Sequence, residues 1–272
     1  MTRETHALGA GHGARGLERD VVSVWLLATR NLKRSRRTPM LIVFALLQPI
    51  IWLVMFSQSF EQIARDPRFQ ALGYHSYLSF FVPAMMALTV LYSALQSGLA
   101  TITDIDTGIF DKLSTCPIPR STIVVGRVLA DAVQMAFQAA VVLGVGMAMG
   151  ASVATGWSGA LEVLGITLLL GMVWSAVSNF FALHTRNSEL TMVIGLLLTF
   201  PALFLSSAFF PMGLQPSWLR AIAGANPVAY VIQTGQHLMN IGNDGPLTLR
   251  TLLLLLVVGL TFTAAAVSQF RR

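Results

Sequence analysis

Six long stretches of this chain contain no Asp, Glu, Lys or Arg: residues 38–60, 76–103, 132–161, 163–183, 190–219 and 251–270. A helix needs about 20 predominantly apolar residues to cross the roughly 30 Å hydrocarbon core of a bilayer. In that core each backbone N–H and C=O must be satisfied by protein, which leaves helices or closed barrels as spanning structures. The runs are continuously apolar and do not alternate as barrel strands do, so they read as helices. The third and fifth exceed one span, and their surplus carries turn residues at 150–159 and 211–217.

A soluble bundle of such helices fails on surface chemistry, because six helices with almost no charged face leave water nothing to solvate. Only 11% of the residues are charged and 54% are hydrophobic, against about 25% and about 45–50% in soluble domains. The expected fold is therefore an all-α integral membrane protein with six transmembrane helices. Their expected bounds are about 39–60, 76–100, 121–149, 161–183, 189–210 and 248–269.

Basic residues orient the spans, since cytoplasmic loops carry the Lys and Arg excess. Eight precede the first span, Lys112, Arg120 and Arg127 follow the second, Arg186 follows the fourth, and Arg271 and Arg272 end the chain. Fourteen of eighteen thus fall on one side, leaving Arg65, Arg68, Arg220 and Arg250 on the other. Both termini are expected to be cytoplasmic, in a multi-pass protein of the cell membrane. A net charge of +6 could suggest nucleic acid, but the basic residues flank apolar runs and do not gather on a folded face.

Residues 1–20, rich in Gly, Ala, Arg and His, read as a disordered tail in which His6 and His12 are solvated. The first apolar run begins 37 residues in and lacks signal-peptide order, so it reads as a retained span. Over 21–37, Val21, Trp25, Ala28 and Leu32 recur at helical spacing, while Arg30, Lys33, Arg34 and Arg37 gather on the other side and toward its C-terminal end. That pattern describes an amphipathic helix lying along the membrane surface. Residues 103–120 carry Asp104, Asp106 and Asp111 with apolar Ile109, Phe110 and Leu113, broken at Pro117. The aspartates lack EF-hand spacing, and a partner-facing helix that seats its apolar residues in a groove accounts for them better. The stretch 211–244 is too long and apolar for a plain loop; it reads as two short helices, near 217–223 and 227–240, dipping into the outer leaflet with Trp218 and Tyr230 at headgroup depth.

Within the spans, Pro49, Pro83 and Pro201 should bend helices. Gln48, Gln58, Ser206 and Ser207 either face a pathway or hydrogen-bond between helices, and Gly144, Gly146 and Gly150 allow close helix approach. Asp131 is a proton-relay candidate by its depth, but a structural pair with Arg127, one turn back, is the preferred reading. The one cysteine, Cys116, and scattered histidines offer no metal cluster, and neither Lys33 nor Lys112 ends a phosphate-binding loop. No catalytic motif is present, so any ATP chemistry must come from a partner.

The order of parts resembles the membrane subunit of type-2 ABC exporters, most closely the daunorubicin-resistance-type permeases, over nearly all of 21–272. Gly108, Asp111, Leu113, Pro117, Arg120 and Gly126-Arg127 look like the family's coupling segment, although Asp104 and Asp106 stand where a basic residue is common. Ser206 to Phe210, Pro211, Pro216, Trp218-Leu219 and Asn226-Pro227 resemble its outer re-entrant signature. The resemblance implies a homodimer or heterodimer of permeases bound to two cytoplasmic ATP-binding subunits, which hold the ATP and Mg. It implies coupling through 103–120, with Phe110 among the contacts, and through the interfacial helix. It also implies a central path from spans one, two and five, with Gln48, Trp52, Met55, Met85, Leu196, Phe200 and Phe204 as candidate lining.

The leading expectation is export of a hydrophobic or amphipathic, antibiotic-like molecule, with direction taken from the resemblance. Export of a lipid-linked polysaccharide by the same machinery is the alternative, disfavoured because the spans hold Phe mainly and few Tyr. A proton-coupled transporter using Asp131 is the competitor from another class.

Overall fold

The computed structural model describes the backbone of residues 39–108 and 120–270, and the side chains of 45–108 and 131–266. The expected tail and interfacial helix, with Trp25, Arg30, Lys33 and Arg34, lie outside the described residues. So do Phe110, Asp111, Leu113 and Pro117, and the side chains of Arg120 and Arg127.

Helices occupy all six apolar runs: α1 Pro39–Ser59, α3 Tyr77–Asp106, α4 Arg120–Ala148, α5 Gly156–Thr185, α6 Ser188–Phe204 and α9 Gly245–Phe270. Between them come α2 Pro67–Ala71, α7 Ser217–Ala223 and α8 Pro227–Asn240, with 3-10 turns at Glu61–Arg65 and Met212–Leu214. Four of the described helices are long and apolar enough to cross a bilayer, while Ala45–Ser59 and Ser188–Phe204 are shorter apolar pieces. Side-chain caps mark several starts. Asp66, Ser76, Asn187 and Asn226 each accept a hydrogen bond from an N–H in the first turn of α2, α3, α6 and α8, relieving donors that have no intrahelical partner.

Helix α3 is the axis of the bundle. Every residue from 79 to 91 is buried, because α1, α4, α5, α6 and α8 all pack on it. Helix α9 packs chiefly on α5 and α8 and exposes Leu249, Leu253, Leu256, Val257 and Leu260. Lipid tails are as apolar as leucine, so such helices hold together through close packing and hydrogen bonds instead of water exclusion. Close approach is set at Gly98, where a Cβ would lie 2.9 Å from the backbone oxygen of Ser178 on α5. Of the three glycines expected to serve this purpose in α4 and just beyond it, only Gly146 does so, against Val82; Gly144 and Gly150 face open space.

Two helix ends depart from expectation. Helix α3 runs on to Asp106 and so absorbs the first residues of the 103–120 segment, ending where Gly108 takes φ +65° and donates its N–H to Ile105. That left-handed turn is one glycine adopts without penalty. Helix α6 stops at Phe204, short of the expected 210. The chain can leave the helix there because buried amide side chains take over its carbonyls. Asn226 donates to Ala202 O at 2.5 Å, Gln215 to Ser206 O and Phe210 O at 2.9 Å each, and Gln236 to Ser207 O at 2.8 Å. Irregular backbone buried in apolar surroundings persists only with such replacements.

Candidate functional site

Trp52, Phe56 and Phe60 recur every four residues along α1 and so share one face. Opposite them the chain leaving α6 supplies Phe204, Phe209 and Phe210, and the following turn adds Leu214, Gln215, Pro216 and Leu219. Together with Ser206 they line a half-open cavity of about 440 Å³. Its walls interlock through rings: Phe56 lies 5.6 Å from Phe209, Phe204 stacks on Phe209 at 5.2 Å, and Phe60 meets Phe210 edge-on at 6.3 Å. Among the described residues no charged side chain lines the cavity. Ser206 donates to Leu203 O and accepts from Ala208 N. Gln215 is 7% exposed, and while its amide nitrogen serves two carbonyls, its Oε1 is buried without a partner.

A second cavity of about 480 Å³ lies on another side of the same end of α1. Its lining is polar, including Gln58, Glu61, Arg65, Gln70, His75 and Ser76. Glu61 and Arg65 form an exposed pair at 3.9 Å. Beside it, Tyr74 packs on Phe69 and Phe80, and burial pushes its hydroxyl up to about 12, which keeps it neutral in ordinary buffers.

The opposite half of the bundle holds a polar seam. Ser93, Ser97 and Thr101 stand four residues apart on α3. Ser97 Oγ donates to Asp131 Oδ2 of α4 at 2.5 Å and accepts from Ser175 Oγ of α5 at 2.9 Å. Asn179 Nδ2 donates to Ser97 Oγ at 3.1 Å and to Ser175 O at 2.8 Å, while Thr101 Oγ1 donates to Asn179 Oδ1 at 2.5 Å. Ser93 donates to the buried Gln138 of α4. Three helices are thereby tied at one level, about 14 Å from the Asp106 end of α3 at 1.5 Å per residue.

Of the path-lining candidates, Trp52 and Phe204 border the aromatic cavity. Gln48 lies beside Tyr92, whose ring meets Phe200 edge-on at 6.3 Å, and Phe200 stacks on Phe204 at 6.1 Å. This group extends the aromatic wall toward the Asp106 end. Met55 is exposed and Leu196 half-buried, and neither borders either cavity. Met85 is a correction: it is wholly buried in the core, because α3 is covered on all sides at that level, and it lines no space. Pro211 is buried, Trp218 is exposed, and Asn226 with Pro227 starts α8. His237 lies 3.6 Å from Asp244, and no metal-binding group occurs among the described residues.

Sequence reading placed Asp131 beside Arg127; the structure adds Ser97, Thr101, Ser175 and Asn179 around that carboxylate. The fourfold spacing of hydroxyls at 93, 97 and 101, matched by 175 and 179, was the available signal. Phe209, Phe210 and Gln215 were missed because their position depends on where α6 ends.

The profile described as ABC-2 type transporter matches residues 22–239. A daunorubicin resistance ABC transporter permease of Streptomyces coeruleorubidus is 26% identical over 213 residues, covering 78% of this chain and 72% of that protein. A putative transport permease of Porphyra purpurea is 29% identical over 211 residues, 76% of this chain and 70% of its own. A probable doxorubicin resistance ABC transporter permease of Mycobacterium tuberculosis is 23% identical over 221 residues, or 81% and 78% of the two chains.

Proposed function

This chain belongs to the ABC-2 type transporter family, and from that premise we propose that it forms the transmembrane path of an ATP-driven exporter of hydrophobic or amphipathic small molecules. Family membership makes it a multi-pass membrane permease that works with an ATP-binding subunit and a second permease. In our reading both termini are cytoplasmic, two ATP-binding subunits dock below, and the α7–α8 end faces outward.

The aromatic cavity carries the choice of cargo. Six aromatic rings and no charge suit a large apolar body, and 440 Å³ falls in the range of drug-sized sites, about 300–1,000 Å³. A polysaccharide would need hydroxyl-matching groups, and among the described residues Ser206 and Gln215 are the only polar ones in the lining. Names borne by relatives, daunorubicin and doxorubicin resistance permeases, agree with such cargo.

Coupling is assigned to Gly108, Phe110, Asp111, Leu113, Pro117 and Arg120, with support from the interfacial helix. ATP can move the spans only through its different affinity for the two states of the complex.

Inverted vesicles holding this chain and its co-purifying ATP-binding subunit should accumulate doxorubicin only with ATP, and Asp131→Asn should retain that uptake. Uptake driven by a proton gradient without ATP, and lost in Asp131→Asn, would overturn the reading in favour of a proton-coupled transporter.

A further inference from the structure

The two cavities share a wall made of two rings. Phe60 lines the aromatic cavity, Tyr77 lines the polar one, and their centroids are 5.5 Å apart. The two residues are held very differently. Tyr77 opens α3, is 2% exposed, packs against Phe80 and Phe81 at 5.9 and 5.7 Å, and donates its hydroxyl to Phe209 O at 3.3 Å. Phe60 sits where the chain passes from α1 into a 3-10 turn, at φ −106° and ψ 12°. Its N–H bonds back to Phe56 O, and its partly exposed ring rests on Phe56, Phe210 and Tyr77. A ring at a helix end, held by non-directional contacts, turns at far lower cost than one fixed by packing and a hydrogen bond.

We propose that Phe60 is a movable partition closing against Tyr77, and that the polar cavity beyond it is a second binding site, which receives the polar end of an amphipathic molecule as it leaves the aromatic cavity. The chemistry of the second site fits that role. Amide and hydroxyl groups from Gln58, Gln70 and Ser76 meet a hydroxylated or amine-bearing head, and Glu61 with Arg65 offers both signs of charge, which suits an uncharged or zwitterionic head more than a net anion. The apolar body stays among rings until the head is solvated, so no polar group crosses an apolar wall unpaired. This inference rests on the reading of the aromatic cavity as the cargo site and of the α7–α8 end as outward.

The partition is testable without cargo. In the full complex carrying Cys116→Ala, which removes the only native cysteine, Ser206→Cys places a thiol in the aromatic cavity and Gln58→Cys places one in the polar cavity. A charged, membrane-impermeant methanethiosulfonate is added from outside. Gln58→Cys should react quickly in every background. Ser206→Cys should react slowly with Phe60 present and about tenfold faster with Phe60→Ala, the factor expected when an aromatic pair that holds a closed state is lost. Phe60→Trp should keep it slow. Should Ser206→Cys fail to fold, Leu219→Cys reports on the same cavity. Equal rates with and without the Phe60 ring would overturn the partition. Doxorubicin is then added in the Phe60→Ala background, where protection of the cavity thiol is expected. Export of doxorubicin without protection would remove the aromatic cavity as cargo site and with it the second site's role, whatever the partition result.

Discussion

The seam around Asp131 and the cavity around Phe56 both lean on α3, yet they are built from opposite kinds of contact. In the seam, α3, α4 and α5 are joined by hydrogen bonds of 2.5 to 3.1 Å that converge on Ser97 and Asn179. Such bonds fix rotation and register, because in an apolar medium a polar group that loses its partner finds no water to replace it. Around the cavity, rings of α1, α3 and the chain leaving α6 pack tilted or stacked at 5.2 to 5.8 Å, with Phe56 and Phe209 meeting across it. Ring contacts tolerate changes of angle and offset with little loss. In the proposed transport cycle α3, α4 and α5 are the fixed frame, and α1 and α6 shift against it to open the aromatic space. The frame also receives both ends of the 107–119 segment, and in the coupling we propose a push delivered there would reach α5 through the seam.

The strongest way to break this contrast is to force the frame apart. Gly98→Leu drives a side chain into the Ser178 backbone, which is fixed within a helix and cannot yield as a flexible side chain would. A cost of about 3 kcal/mol or more is expected, visible as loss of folded, monodisperse protein in detergent. A milder break is Asn179→Leu, which keeps the shape but takes the acceptor from Thr101 and a donor from Ser97. Membrane hydrogen bonds of this kind contribute about 0.6 kcal/mol on average and up to about 1.7, so a loss of about 1–2 kcal/mol should appear in thermal unfolding. Substrate-stimulated ATP hydrolysis should persist in this variant while transport per ATP falls. An unchanged transport ratio would show that the seam braces the frame without transmitting movement.

Helix positions were legible because charge bounds them: Glu61, Asp104, Arg186 and Arg250 stand close to helix ends or in the loops, and few charges lie inside a helix, chiefly Arg127 and Asp131 of α4. Which helix lies at the centre was not legible, since α3 and α9 are similarly apolar and only packing distinguishes them. Met85 was misplaced for that reason. Trp52 and Phe204, which border the aromatic cavity, stand in regular helices that the apolar runs foretell, whereas Phe210 and Gln215 lie on a turn whose course depends on Asn226 and Gln236, 11 or more residues away, satisfying its carbonyls. The seam was half visible. A lone carboxylate in a span drew notice, but its serine partner comes from a helix 34 residues distant and that serine's asparagine partner from one 82 residues further along, separations no local period encodes.

The smallest expected effect sharpens the contrast from the other side. Phe56 touches Trp52, Phe60, Phe81 and Phe209 at 5.5 to 5.8 Å, four rings against the three residues, Ser97, Thr101 and Ser175, that Asn179 hydrogen-bonds. If contact number governed stability, Phe56→Leu would cost more than Asn179→Leu. If directionality governs it, a leucine of nearly matching apolar character should repack among sliding neighbours at about 1 kcal/mol or less. The same substitution narrows the π surface offered to cargo, so doxorubicin affinity should fall by roughly threefold to tenfold, the worth of one aromatic pair. Unfolding and binding measured on one preparation separate the two effects. A Phe56→Leu protein less stable than Asn179→Leu would mean that the aromatic region is also part of the rigid frame, and that opening must occur elsewhere.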